Sequence, residues 1–214
     1  GYYCPAGSSA GTACPAGSYS NKDYLTAASE CSQCPAGYYC PLASTAPTIC
    51  PQAMYCAAGV GTGTNCPAGT YSPYLGLTNS GDCIACPMGW YCTAGSERPT
   101  RCTAGSYSGS LGATTSACTT CPAGYYCPDD GWITPRPCNK GYYSNTGAST
   151  CTQCPAGRYC PVEATTITMQ TANICPAGLW CPAGTDHYPT NLYDRCVAGR
   201  YCPAGTTSQL GCGA

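Results

Sequence analysis

The chain has 214 residues, of which 8% are charged, and a formal net charge of −1, so it offers no electrostatic footing to nucleic acid or to an acidic membrane surface. Phe is absent, Leu, Ile and Val are sparse, and no apolar run approaches the ~18 residues of a membrane span, which excludes a large aliphatic core and a spanning segment. What the chain has instead is 24 cysteines, with 27 Gly, 20 Pro and 19 Tyr. A cysteine fraction above roughly 8–10% marks a disulfide scaffold. Regularly spaced thiols in such number persist as disulfides only in an oxidising compartment, which predicts an extracellular protein, secreted or displayed on a cell surface.

In chain order, residues 1–13 read as the end of a preceding repeat, because the sequence opens at GYYCPAG. Residues 14–65 hold a long repeat with an inserted short one, 66–101, 102–137 and 138–174 hold one long repeat each, and 175–214 hold two short repeats. The closing GCGA falls where a further repeat would begin, so the chain is expected to be a mature or internal stretch of a longer secreted protein. The repeating element is Cys-Pro-x-Gly-x-Tyr-(Ser or Cys), as in CPAGSYS from Cys14, CPAGYYC from Cys34 and Cys121, CPAGTYS from Cys66 and CPAGRYC from Cys154. Degraded copies start at Cys102 and Cys138. The Ser-ending copies lead to CxxC pairs at Cys31/Cys34, Cys83/Cys86, Cys118/Cys121 and Cys151/Cys154. Short units run Cys50–Cys56, Cys175–Cys181 and Cys196–Cys202.

Pro presets φ near −65° and Gly accepts positive φ, so Cys-Pro-Ala-Gly predicts a turn. The Tyr-Tyr or Tyr-Ser that follows predicts a short strand with one ring inward and one outward. Each unit is thus expected to be a small β-hairpin. Only TTITMQTA (Thr165 to Ala172) offers a helical pattern, and a weak one. Units this small bury little alone, so the predicted fold is a small disulfide-rich one: an elongated tandem array of short β-hairpin repeats with little or no helix.

The Cys-Pro-x-Gly-x-Tyr-Ser…Cys-x-x-Cys-Pro pattern resembles the cysteine-rich repeats of ephrin-receptor ectodomains, related in style to EGF-like modules and abundant in protist surface proteins. The resemblance covers essentially the whole chain and implies an extracellular repeat rather than any activity. Two departures stand out: many units carry an extra Cys after the Tyr, and the short units have no counterpart. The pairing that the resemblance implies closes Cys14–Cys31, Cys66–Cys83, Cys102–Cys118 and Cys138–Cys151. It also closes Cys34–Cys40, Cys50–Cys56, Cys86–Cys92, Cys121–Cys127, Cys154–Cys160, Cys175–Cys181 and Cys196–Cys202. Cys4 and Cys212 are then left to pair beyond this stretch or with a neighbouring chain. A second register (Cys4–Cys14, Cys40–Cys50, Cys202–Cys212 and so on) pairs every cysteine internally at the expense of four small CxxC rings, which are strained and reducible. Interlaced pairings are a third possibility.

Other chemistry is thin. Successive CxxC pairs are far apart with other cysteines between them, and the single His does not complete a zinc site. Neither metal nor other cofactor is expected. A thioredoxin-like role lacks its βαβ setting. His187, between Asp186 and Asp194, reads as a solvated loop residue without a nucleophile, and Asp129-Asp130 reads as a turn, lacking the ligand series of a calcium loop. Trp90, Trp132 and Trp180 read as packing plugs between units. There is no Asn-x-Ser/Thr sequon, but the Thr-rich returns make Thr114, Thr115, Thr165, Thr166, Thr206 and Thr207 candidates for covalent O-linked glycan. The expected function is that of a non-enzymatic structural protein that self-associates into a filament, coat or appendage. The alternative is a stalk or ligand-binding ectodomain of a receptor or adhesin, with any exposed patch expected between Thr165 and Tyr193.

Overall fold

The computed structural model describes residues 1–114, 118–190 and 194–212. They form a disulfide-rich array of small antiparallel hairpins with almost no helix. The chain divides into two compact units, Gly1–Thr100 with Ser110–Ala117, and Arg101–Gly109 with Cys118–Ala214.

In both units the local structure follows the motif. Counting its first Cys as position 1, Pro at position 2 opens a turn, Gly at position 4 closes it, and a two-residue strand follows. The position-4 glycines lie at φ between +79° (Gly89) and +88° (Gly17), in the left-handed region where a Cβ is strained. The strand does not fold back on its own motif. It pairs with the two residues preceding the next motif's Cys: Ser18–Tyr19 with Ser32–Gln33, Tyr38–Tyr39 with Thr48–Ile49, and Met54–Tyr55 with Thr64–Asn65 in the first unit. In the second, Ser106–Tyr107 pairs with Thr119–Thr120 and Tyr125–Tyr126 with Arg136–Pro137. Each motif strand therefore pairs with the far end of the return segment that follows it, giving the one small hairpin per unit that the sequence predicts. The reason is length: seven residues closed by a turn leave no second strand inside the motif.

Ring alternation is visible at two of the Tyr-Tyr pairs of the CxxGYY type, while Tyr125 and Tyr126 are both half-buried. Tyr38 and Tyr142 are exposed while Tyr39 and Tyr143 are half-buried. The buried apolar surface is mostly sulfur: Cys14, Leu25 and Cys31 cluster in one place with Tyr3 against them, and Cys175, Leu179 and Cys181 with Tyr159 in another.

The departure from hairpins is the α-helix Ile167–Ala172, whose first turn is capped by the Thr166 hydroxyl accepting from the Met169 N–H at 3.2 Å. Just before it, Thr165–Thr166 adds in parallel to Tyr142–Ser144, making a three-stranded sheet with Thr152–Gln153.

Candidate functional site

The structure joins eleven disulfides in two classes. Four close loops forward onto a CxxC: Cys14–Cys31, Cys66–Cys83, Cys102–Cys118 and Cys138–Cys151. Seven span one motif with a separation of 6: Cys34–Cys40, Cys50–Cys56, Cys86–Cys92, Cys121–Cys127, Cys154–Cys160, Cys175–Cys181 and Cys196–Cys202. Position 7 decides the class. It is buried in either case, and where it is Cys it captures the position-1 sulfur. Where it is Ser (Ser20, Ser72, Ser108, Ser144), that sulfur reaches forward instead. The buried hydroxyl then finds backbone partners, as when Ser144 Oγ donates to Tyr125 O at 2.7 Å and Ser72 Oγ accepts from Tyr74 N–H at 3.1 Å. Cys4 and Cys212 are free and exposed.

Successive motifs are laid against each other by one hydrogen-bond register. The position-4 carbonyl accepts from the next motif's position-1 N–H, as from Cys34 to Gly17 (2.9 Å) and from Cys175 to Gly157 (2.9 Å). The position-4 N–H donates to the next motif's position-7 carbonyl: Gly17 to Cys40, Gly37 to Cys56, Gly141 to Cys160 and Gly178 to Cys202, all within 2.8–2.9 Å. The position-7 N–H donates to the return turn beyond that motif, as from Cys40 to Val60 (3.1 Å) and from Cys160 to Thr185 (2.9 Å). The return turn in turn donates to the position-1 carbonyl, as from Gly59 to Cys34 (2.8 Å) and from Gly184 to Cys154 (2.7 Å).

A second layer of contact reaches one motif further. At Gly17, Gly37, Gly69, Gly105, Gly124, Gly141 and Gly157 the position-4 glycine is a seat for the carbonyl of the return turn two motifs ahead. A Cβ added at Gly17 would lie 2.1 Å from Gly59 O, at Gly69 2.4 Å from Gly112 O, and at Gly141 2.6 Å from Gly184 O. Such a Cβ has no room, so glycine is required here by approach as well as by φ. From Gly17 to Gly157 the position-4 residues are buried; Gly178 and Gly199 are exposed, and a Cβ on either would meet nothing within 4 Å. A groove of about 890 Å³ lies there, lined among others by Gly178, Cys196, Val197, Tyr201 and Pro203.

Ionisable side chains converge around the histidine. His187 Nδ1 lies 3.0 Å from Asp186 Oδ1, and its Nε2 lies 3.0 Å from Asp194 Oδ1. Asp194 is buried and also accepts the Thr190 N–H at 2.9 Å. The hydrogen bond that Asp186 accepts, aided by Asp194, raises the His187 pKa above its ordinary value, and the same contact lowers that of Asp186. His187 lies in a loop with its side chain 48% exposed, and the fold adds to the sequence reading that the seven-residue gap to Asp194 closes, so that the ring sits between two carboxylates. The ring thereby clasps Asp186 to Asp194. Among the described residues, no three His, Cys, Asp or Glu side chains are grouped so as to hold a metal ion.

The remaining predicted residues separate in the structure. Asp130 accepts the Ala104 N–H at 2.8 Å, tying its turn to a neighbouring motif. Trp132 donates through Nε1 to Thr134 O, and the Arg136 guanidinium lies 4.9 Å from its ring centre, a local contact more than an inter-unit plug. Trp180 and Trp90 are half-buried.

Of the glycan candidates, Thr165 is overturned. It is 0% exposed and its hydroxyl donates to Val162 O at 2.7 Å, because the parallel strand pairing folds the Thr-rich segment inward. Thr166 is half-buried and caps the helix, Thr206 is half-buried and donates to Ser208 O at 2.6 Å, Thr114 is half-buried, and Thr207 is exposed. Thr115 lies outside the described residues. The sequence reading missed the return-turn glycines, whose signal was a second Gly three or four residues after most position-7 residues; Tyr24, Ala43 and Ala164 take the same turn without one. No family model matches the chain, and no curated protein matches it.

Proposed function

We propose that this chain is an extracellular structural protein, a cysteine-rich repeat array that associates with itself into a filament, surface coat or appendage and has no catalytic role. The observation that carries the reading is the repeated backbone register, with glycine seats that reach to the second motif ahead. A surface generated by one rule presents the same contacts again and again, which suits assembly better than recognition of one small ligand. The eleven disulfides and the absence, among the described residues, of a helix long and apolar enough to cross a membrane fit a secreted or surface-displayed protein. The resemblance to ephrin-receptor-like repeats points the same way. O-linked glycan on exposed Thr207 belongs to this reading, and an intact mass above 21.8 kDa would reveal it.

Sedimentation velocity across a hundredfold concentration range, with negative-stain imaging of the same samples, tests the proposal. Growing, ordered particles are expected; dispersed monomers at every concentration would end it.

A second reading has one observation in its favour. The stretch from Thr165 to Thr190 departs from the repeat, holding the helix and the His187 clasp, with Tyr159 and Tyr188 rings 5.9 Å apart. A receptor or adhesin ectodomain would place its ligand-binding patch in such a divergent stretch.

A further inference from the structure

In the return turns, the residue just before the left-handed position is exposed, and the fold places little demand on it. Asp23, Ala58, Ala94, Asp130, Thr146 and Glu163 all occupy that place, ahead of Tyr24, Gly59, Gly95, Gly131, Gly147 and Ala164. The turns that follow the Cys34, Cys66 and Cys102 motifs carry leucine there instead. Leu42, Leu75 and Leu111 are 67%, 55% and 64% exposed. A scattered exposed leucine needs no explanation, but these three share one structural position and belong to one compact unit.

The glycine seats arrange the three in a column. The Gly76 carbonyl enters the seat at Gly37, where an added Cβ would lie 2.7 Å from it, and the Gly112 carbonyl enters the seat at Gly69, at 2.4 Å. The Ala43 turn continues the motif that holds Gly37, and the Gly76 turn continues the motif that holds Gly69, so the leucines come from directly stacked layers. The intervening motifs, from Cys50 and Cys86, carry Ala58 and Ala94 at the same place. Each leucine turn is also anchored by its N–H: Ala43 to Cys14 O at 3.1 Å, Gly76 to Cys50 O at 2.8 Å and Gly112 to Cys86 O at 2.8 Å. The backbone beneath the leucines is therefore already fixed, and covering them orders little beyond their own side chains. Residues 41–43, 73–76 and 109–112 hold no charge.

We infer that the Leu42, Leu75 and Leu111 column is the face on which a second copy of this chain docks, column against column. Two features select that occupant. The spacing along the column is set by the glycine seats, and a second copy presents apolar side chains at the same spacing. The turns also lack the basic residues that an anionic lipid surface would demand and the charges that would steer a polar partner. In a two-fold pair the middle member, Leu75, faces Leu75 of the second copy whichever way that chain runs. The three leucines offer on the order of 300 Å² per copy, short of the ~800 Å² per partner of a stable complex, so one column pairs weakly and gains strength where several copies engage. The inference rests on the self-association reading above and names the face that serves it.

The test uses the 214-residue chain with its disulfides formed and the Cys4 and Cys212 thiols alkylated, so that no bridge joins copies. Sedimentation velocity compares Leu42→Asp with Leu75→Asp, in one chain, against Ala58→Asp with Ala94→Asp in another. The two variants gain equal charge, and an acid at this place is native at Asp23, Asp130 and Glu163, so both should keep the denaturation midpoint of the unaltered chain. The leucine variant should need a concentration at least about tenfold higher to associate, while the alanine variant should associate as the unaltered chain does. Independently of both, a benzophenone amino acid in place of Leu75, in a mixture of 15N-labelled and unlabelled copies, should on irradiation link chiefly to residues 73–76 of the other isotope. Equal weakening in the two variants, no weakening in the leucine variant, or linkage elsewhere would overturn the face. So would leucine-dependent binding to phosphatidylcholine vesicles without association between copies. If association survives in the leucine variant, self-association stands and only this face falls. If the unaltered chain stays monomeric at every concentration, both fall.

Discussion

The motifs between Cys14 and Thr100 and those between Cys154 and Gly205 use the same turn but are held differently. In the first region the contacts between motifs are almost wholly backbone to backbone, and side chains matter mainly by being small or being cysteine. In the second, the loops leading to Cys175 and Cys196 are long, and the strand pairs shrink to single bridges, Arg158 with Ile174 and Leu179 with Arg195. Side chains make up the difference: Arg158 donates to the Gln170 and Thr171 carbonyls at the end of the helix, and His187 ties Asp186 to Asp194. A backbone register tolerates almost any sequence that keeps its glycines, whereas a register interrupted by insertions depends on particular charged groups.

That contrast can be broken most sharply at the seats. Gly17→Ala would drive a Cβ into Gly59 O, and on the order of 3–5 kcal/mol should be lost in chemical denaturation. Gly178→Ala, with the same left-handed φ and nothing within 4 Å, should cost only the backbone strain, about 1–2 kcal/mol. Equal losses would mean that the seat contributes nothing.

Next come the bridges. Replacing both Cys66 and Cys83 with Ser opens a loop of separation 17 and should cost about 3 kcal/mol; the same change at Cys50 and Cys56, separation 6, should cost about 2 kcal/mol. Comparison of the two denaturation midpoints checks the order. In the second region, Thr166→Ala removes the helix cap and should cost about 1 kcal/mol, with faster hydrogen exchange at Met169 as its signature.

The smallest effect is titration of the clasp. His187 has its folded pKa raised above the ordinary 6.5, so its stabilisation is complete below that value and fades as pH rises through the raised one. Its partner Asp186 is depressed, so that contribution is present above the ordinary carboxylate value of 3.8 and is lost as pH falls through the lowered one. An NMR titration of the imidazole should give a midpoint above 6.5, and Asp194→Asn should bring it down. The first region holds no histidine and should show no dependence near neutrality, only the acid-side loss shared by its own depressed carboxylates, Glu30 and Asp82.

The hairpin array was legible because Cys-Pro-x-Gly is local chemistry, with φ preset at one residue and freed two residues later. The pairing partner of each strand was not legible. A two-residue strand carries no hydrophobic pattern, and its register is chosen by backbone groups that every sequence possesses. The seats were half legible. The second glycines, such as Gly59, Gly112, Gly147 and Gly184, were plain in the sequence, but that their carbonyls press against a motif two places back is a fact of three dimensions. Thr165 was misread for the same reason, since composition gave an exposed return and a parallel pairing with Tyr143 turned it inward. Asp186 and Asp194 were noticed beside His187, yet only folding brings Asp194 within 3.0 Å of the ring.

The short bridges have a mechanical consequence. A pull along the chain enters each of these motifs at one sulfur and leaves at the other, so the turn between them carries no load. Only the connecting loops can lengthen, at up to ~3.4 Å per residue, and extension would stop well short of the contour of the polypeptide. Adding reductant under tension would release the hidden slack in discrete steps, so the redox state of its surroundings sets how far this protein can be stretched.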